Sequence, residues 1–439
     1  MSEDTLGRAL KRWRNQRRLS LRTLAERAHV SHVYVWEIEK DSKTPHHDVV
    51  VRFDDLLGAG GQLIAISAQH RAATSGAQEN DLGLRFRSDW AGSIETVTSL
   101  WQHDATRRAF LRSAVYVSAA AVAPIADWLS SDDIGRDLDA IEGDLRSTDA
   151  VRAMTRTFRR LDNQYGGGEI RAGLVQYLDA EVGPALHHKT RSQLGATYLS
   201  AVAELTQLTG WLAYDSCQHG LAERYFIQAL GLAQWAGDRA LGAEILAGMS
   251  HQAIFIRKPN AAVNLARAAG RTAERAGVHA LVAEASLMRA HAHAVAGEEQ
   301  QTTSALTQAE TVLAGGVRDA DPHWIGYFDE AYLAAIKGHC FRELEHPALA
   351  REAAEQSLAM RPGYIRGQAF NELLLAGAHA QAGDVDQACA VGHRALDLAS
   401  GMSSVRVIHN IDRLLRELRP WRTDRRVKAL AERAAAATA

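Results

Sequence analysis

The chain has 439 residues, of which 46% are hydrophobic and 23% charged, with a formal net charge of −2. That length has room for about three domains, and the near-balanced charge excludes a body that coats nucleic acid or a membrane with its whole exterior. Three widely spaced cysteines, Cys217, Cys340 and Cys389, without a CxxC pair, exclude a disulfide framework and point to a reducing cytoplasm.

The first predicted elements are two short helices. Ser20 is suited to cap a helix over Leu21 to Ala28, in which Leu21, Leu24 and Ala25 share a face. His29 and Val30 make a tight turn, and Ser31 caps a second helix from His32 to Lys40 whose inward stripe is Val35 and Ile38, with help from Tyr34. This is the spacing of a helix-turn-helix, in which the N-terminal residues of the second helix meet base edges in the major groove. Ser31, His32, Val33, Trp36 and Glu37 are therefore the candidate base readers. Arg8, Lys11, Arg12, Arg14, Arg17, Arg18 and Arg22 meet only Glu3 and Asp4 in the first 22 residues, and Lys40 and Lys43 follow. Arg17, Arg18, Arg22, Lys40 and Lys43 are the candidate phosphate contacts, which hold register without reading sequence. A plain helical hairpin with a solvated basic face would show the same periodicity.

The run S-L-R-x-L-A-E-R-A-x-V-S, followed by Ile38-Glu39-Lys40-Asp41 and then Thr44-Pro45, resembles the Cro/C1-type (Xre) helix-turn-helix family. The resemblance implies double-stranded operator DNA as partner, a Glu that closes the second helix, and a Pro that opens a further helix, here from His47 to about Leu57. Asp41 stands where the family usually has Gly, and Asp tolerates a left-handed backbone better than most residues.

This head is expected over 1–68 and a linker over 69–83, because His70 to Asp81 lacks apolar periodicity. A helical connecting or dimerisation region follows over 84–189, with Trp90, Leu100 and Trp101 to seat it. Within it, Arg107-Arg108 and the apolar run from Val115 to Pro124 imitate a twin-arginine export signal. The run is too short to span a bilayer and follows a hundred residues of other sequence, so a buried helix packed between the two halves of the protein is expected instead. Gly166-Gly167-Gly168 has no preceding strand and no following GK[ST], so it is expected to stop a helix and not to cradle a phosphate.

From about 190 to 400 the chain repeats. Five second helices carry small or aromatic knobs at four- and seven-residue offsets: Ala222, Phe226, Ala229; Ala262, Ala266, Ala269; Thr302, Leu306, Ala309; Ala350, Ala354, Ser357; and Ala388, Gly392, Ala395. Twelve residues before each set lies a small residue of a first helix, namely Gly210, Ser250, Ala290, Gly338 and Ala376. Small residues there let stacked helices approach closely. Gly237-Asp238 and Gly383-Asp384 each join a stop glycine to a start cap, and Pro362 follows a second helix. The pattern resembles the tetratricopeptide repeat, with units about 40, 40, 48 and 38 residues apart and not 34. Residues 401–439 are expected to cap the open end of the stack.

A Cro-type head on such a body is similar to the Rap, Rgg, PlcR and PrgX group of peptide-sensing regulators. It is similar too to large regulators of development and secondary metabolism in GC-rich Gram-positive bacteria. What this implies is a cytoplasmic, homodimeric transcription regulator, all-α, with a helix-turn-helix domain followed by an α-solenoid of tetratricopeptide-like hairpins. In such solenoids the first helices line the concave groove. The inward register then gives an acidic ladder, Glu204, Glu244 and Glu284, and a ladder of Trp211, His251, His291 and His339, with Gln207, Tyr214, Phe255 and Arg342 beside them. Carboxylates and imidazoles in a groove suit a peptide or small polar effector. The same residues could pair with one another between repeats, and a protein partner could occupy the groove instead. No HExxH, GxSxG, P-loop or Rossmann glycine motif is present, and the histidine pairs at 187–188 and 291–293 lack a third ligand at a suitable spacing. No enzyme, metal or cofactor is expected.

Overall fold

Ser20 and Ser31 start helices as predicted, Thr5 caps a helix before them that the sequence pattern did not delimit, and no described residue lies in a strand. The structure is a computed structural model that describes residues 5–40, 42–43, 45, 47–59, 61–63, 66, 82–87, 89–106, 115–117, 120–130, 145–168, 170–314 and 321–438. They fall into two units, 1–81 and 82–439.

The first unit holds α1 (Leu6–Gln16), α2 (Leu21–Ala28), α3 (His32–Glu39) and α4 (His47–Leu57). The Thr5, Ser20 and Ser31 side chains accept from the amides of Arg8, Thr23 and Tyr34, which satisfies one otherwise orphaned donor per helix. His29 ends α2 at φ 53°, a left-handed turn residue that needs no glycine here. Leu10, Leu24, Val35, Ile38, Phe53, Leu57 and Leu63 are each at most 2% exposed, and burying a side chain of this size is worth roughly 1.5–3 kcal/mol. Glu39 closes α3 through a two-pronged ion pair with Arg14 of α1, at 2.5 and 2.9 Å. Asp41 and Thr44 lie outside the described residues.

The second unit begins with α5 (Trp90–Thr106), α6 (Val122–Ser130), α7 (Leu145–Tyr165), α8 (Ile170–Tyr177) and the short α9 (Gly183–His188). Trp101 and Leu100 are fully buried and Trp90 packs edge-on against Trp235, so the predicted anchors do seat this region. The expected buried helix over 115–124 is not found. Residues 115–117 are non-helical, Val115 is 74% exposed, and α6 starts only at Val122. The reason is local: the Val117 amide is spent on Glu223 Oε2 at 2.8 Å, outside any helical ladder. Residues 69–81 of the expected linker and the Arg107-Arg108 pair lie outside the described residues. Gly83 is already packed, its carbonyl accepting from Gln228 at 2.9 Å.

Five helix pairs follow: α10 (Arg191–Asp215) with α11 (His219–Ala236), α12 (Arg239–Phe255) with α13 (Pro259–Ala276), α14 (His279–Val295) with α15 (Glu299–Leu313), α16 (Glu330–Glu343) with α17 (Pro347–Ser357), and α18 (Ile365–Gln381) with α19 (Val385–Ala399). Each second helix contains its predicted knobs, all buried. A Cβ on Gly210 would sit 2.9 Å from the Phe226 ring, and Ser250 Oγ donates to the Ala262 carbonyl at 2.9 Å, so the small positions do mark close approach within a pair. Gly237 and Gly383 adopt φ 71° and 77°, and Asp238 and Asp384 cap the next helices.

First helices pack side by side in the order α10, α12, α14, α16, α18, and α7 lies against both α10 and α18. Beyond the pairs, α20 (Val405–Glu417) packs on α18, and α21 (Arg425–Thr438) covers α19. The terminal helices therefore cap the stack through α21 only; α20 turns back toward the first pair.

A buried charge cluster ties these ends together. Arg366 of α18 pairs through both terminal nitrogens with Asp162 of α7 and lies 3.4 Å from Asp215 at the end of α10. Asp215 also accepts from the Gly167 amide at 3.1 Å and from Ser404 Oγ at 2.9 Å. Gly166 ends α7 as expected, at φ 81°. The glycine run does more than stop the helix, because a Cβ on Gly167 would fall 2.8 Å from the Leu212 carbonyl. Burial opposes the charge on Arg366, and Asp162 and Asp215 more than restore it, raising its pKa. Arg366→Met would strand the buried Asp162 and leave Asp215 with Arg406, 3.7 Å away, as its remaining cation, and is expected to cost the second unit about 3–5 kcal/mol, measured as a lowered denaturation midpoint.

Candidate nucleic-acid interface and interior polar site

Helix α3 presents His32, Val33, Trp36 and Lys40 on its exposed face, Val33 and Trp36 each being 50% exposed. An apolar pair of that size left in solvent on a short helix is unusual for a folding role and suits contact with base edges and thymine methyl groups. Ser31 is occupied as the helix cap, at 3.1 Å from the Tyr34 amide. Glu37 is half-buried and lies 3.4 Å from Lys43, whose ammonium also sits 5.3 Å over the Tyr34 ring. Arg18 and Arg22 are exposed. Arg17 is turned elsewhere: its guanidinium donates to the Leu57 carbonyl at 2.7 Å and lies over Trp13, so it satisfies the C-terminal end of α4. Arg14 is consumed by Glu39. Charge counting in the sequence cannot separate these structural arginines from the free ones.

In the second unit the inward register expected for the first helices is the one observed, but the groove they line is filled by the chain itself. Arg159 of α7 pairs with Glu204 at 3.3 Å. Tyr327, from a 3-10 turn over His323–Tyr327, places its hydroxyl within hydrogen-bond distance of both Glu244 Oε2, at 2.9 Å, and Glu284 Oε1, at 2.7 Å, and can donate to one of them at a time. Arg406 of α20 lies 4.2 Å over the Tyr214 ring and 4.8 Å over Phe370, and His409 packs on Phe255. Glu417 of α20 holds Arg342. Tyr327, Arg159, Arg406 and Glu417 are the contacting residues that repeat periodicity could not reveal, since none lies on a repeat position. The residues read as an effector groove thus make their contacts with other parts of this chain.

Enclosure sets the chemistry of both ladders. Burial, and then the neighbouring Glu244 carboxylate, hold the Glu284 pKa well above the ordinary range; burial also raises Glu244, against hydrogen bonds from Glu284, Tyr327 and Gln207. Both carboxyls are thus shifted toward the protonated form, with the Tyr327 hydroxyl between them. The histidines move the other way. His251 bonds Tyr214 at 2.9 Å and lies 5.7 Å from the Trp211 ring, and His291 stacks on His339 with centroids 5.5 Å apart. Burial lowers all three, His291 to about 4, so they stand as neutral imidazoles. Glu284 Oε2 and His291 Nδ1 have no hydrogen-bond partner although both are buried. Such atoms in a folded interior call for an explanation.

Among the described residues, no group of three or more His, Cys, Asp or Glu is placed to hold a metal ion, and no helix is long and apolar enough to cross a membrane. His187 bonds Thr98, and His293 bonds Glu298.

Compared with known families, residues 5–65 match the model of a helix-turn-helix domain. No curated protein matches the chain. The match falls within the first unit, from the cap of α1 through α4 and just past Leu63, and the chain carries a helix-turn-helix DNA-binding domain there.

A carboxyl held protonated by the fold favours folding below the ordinary glutamate range and loses that advantage as pH rises through its raised value. Glu284 is such a group, and so is Glu223, which burial pushes up to about 8. The second unit should therefore lose stability from mildly acidic to mildly alkaline pH. Glu284→Gln and Glu223→Gln are each expected to flatten that loss by a few degrees in thermal midpoint, and parallel pH profiles for wild type and variants would refute the assignment.

Proposed function

We propose that the protein is a sequence-specific transcription regulator of the Cro/C1 type, with a tetratricopeptide-like body that senses a small polar effector. The observation that carries the first part is the exposed face His32, Val33, Trp36 and Lys40 on the second helix of a domain that matches the helix-turn-helix family. One head of this size reads half a site, so the working form is proposed to be a homodimer on a two-fold operator, acting in the cytoplasm. Control of development or secondary metabolism is the proposed setting, on the resemblance of head and body to regulators of that kind.

The effector reading rests on Glu284 Oε2 and His291 Nδ1, two buried polar atoms that a ligand with a donor could satisfy. A whole protein partner in the groove is the weaker reading, because α7, α20 and the 3-10 turn already occupy that space. Because burial disfavours charge on the carboxyls and on the imidazoles alike, a small neutral hydrogen-bonding group such as an amide fits the interior better than an ion.

Selection of bound sequences from a random duplex pool tests the DNA part. Trp36→Ala and Val33→Ala are expected to weaken the selected site by about 1–3 kcal/mol while sparing random duplex. Lys40→Ala and Arg22→Ala are expected to weaken all duplexes alike and to lower the salt slope by about 1 each. A wild-type protein that enriches no sequence would overturn the reading.

A further inference from the structure

The C-terminal cap carries a second basic surface that the head does not explain. Arg416, Arg419, Arg422, Arg425 and Lys428 recur at every third position, across the end of α20, a 3-10 turn over Arg419–Trp421, and the start of α21. All five are exposed, and among the described residues their side chains enter no ion pair; their hydrogen bonds are backbone ones, such as Arg422 N to the Arg419 carbonyl and Lys428 N to the Asp424 carbonyl. In most surface charge runs, acidic neighbours are interleaved and pair with the basic ones. Here the stretch 416–428 contains six cations against two carboxylates, and both carboxylates are already taken. Glu417 is turned to Arg342 and Arg413, and Asp424 to Arg426.

The placement compounds the charge. Arg425 opens α21, a helix of 14 residues, where the partial positive charge of the helix terminus disfavours a cation. The fold thus concentrates like charges that repel one another, gains no internal pairing from them, and holds them at one end of the stack with the half-buried Trp421 packed beneath. Asp412 and Glu432 flank the run one helical turn from Arg416 and Lys428, but Arg419, Arg422 and Arg425 between them are long, exposed cations that fit a partner supplying closely spaced negative charge and demanding no particular side-chain geometry.

We propose that this cap binds the phosphate backbone of duplex DNA without reading bases, as a second contact surface beside the helix-turn-helix domain. The inference rests on the protein being a DNA-binding regulator, and the phosphate chemistry is shared with anionic lipid headgroups, which the test separates. Each phosphate contact releases counterions, so the signature is the dependence of affinity on salt.

The experiment uses the full chain with Arg419, Arg422 and Arg425 changed together to Gln, and in parallel to Lys, titrated against random-sequence duplex by fluorescence anisotropy over a salt series. The Gln variant is expected to lose about 2–3 from the slope of log affinity against log salt, with at least a tenfold loss of affinity in low salt. The Lys variant, which keeps the point charges, should retain the wild-type slope. Unchanged slope in the Gln variant would overturn the proposal, as would an equal loss in the Lys variant, which would mark a packing defect. Binding to phosphatidylserine vesicles that the Gln variant loses, with duplex binding unaltered, would assign the surface to lipid and overturn it too. Trp36→Ala reports separately on the head: loss of sequence preference there, with no effect of the Gln variant, would sink the cap and leave the helix-turn-helix reading intact.

Discussion

The ion cluster of Asp162, Arg366 and Asp215 is the constraint on which the second unit depends. It joins residues 204 apart in sequence and brings α7, α10 and α18 to one point. A stack of helix pairs is stabilised mainly by contacts between neighbours, so its two ends normally have no knowledge of each other. Here one guanidinium from the fifth pair reaches a carboxylate at the end of the first, and α7 lies against both. Every charge in the cluster has a partner, and Gly167 and Ser404 supply Asp215 with further donors, although at Asp162 burial still raises the pKa against the pull of Arg366.

That closure turns a groove into an interior, and the titration behaviour follows from it. In an open superhelix the Glu and His ladders would be solvated and would titrate near their ordinary values. Enclosed by Tyr327, Arg159 and Arg406, the carboxyls are shifted toward the protonated form and the imidazoles toward the neutral one. The two ladders also pull stability in opposite directions. The protonated carboxyls favour folding at low pH, whereas the imidazoles, neutral down to about pH 4 for His291, lose their advantage below their ordinary value of 6.5. Maximum stability is set between these limits by the interior, independently of the surface charge.

Much of this was legible in the sequence, and what escaped did so for physical reasons. Caps and 3.6-residue periodicity are local, so α2, α3, α4 and the knobs of all five second helices could be read from adjacent residues. The inward register of Glu204, Glu244, Glu284, His251, His291 and His339 was equally local, because it follows from repeat spacing. What occupies that interior was not. Tyr327 lies between repeats and Arg406 beyond them, and their partners are determined by closure over long sequence separations. Arg17 shows the same limit at small scale: nothing in its neighbours says that its guanidinium finds the Leu57 carbonyl, 40 residues on. The apolar stretch at 115–124 looked helical by composition, yet one backbone amide committed to Glu223 was enough to keep residues 115–117 out of a helix.

Helix α7 has one further consequence. Its 21 residues measure about 31 Å from end to end, and this rigid strut touches the first and the last of the five pairs. Open arrays of this sort grow or shrink by duplicating or deleting a unit, since each added unit only extends the spiral. In this chain an inserted sixth pair would carry Arg366 away from Asp162 and Asp215 and unseat the strut, so the number of units is fixed by the length of a helix that belongs to none of them.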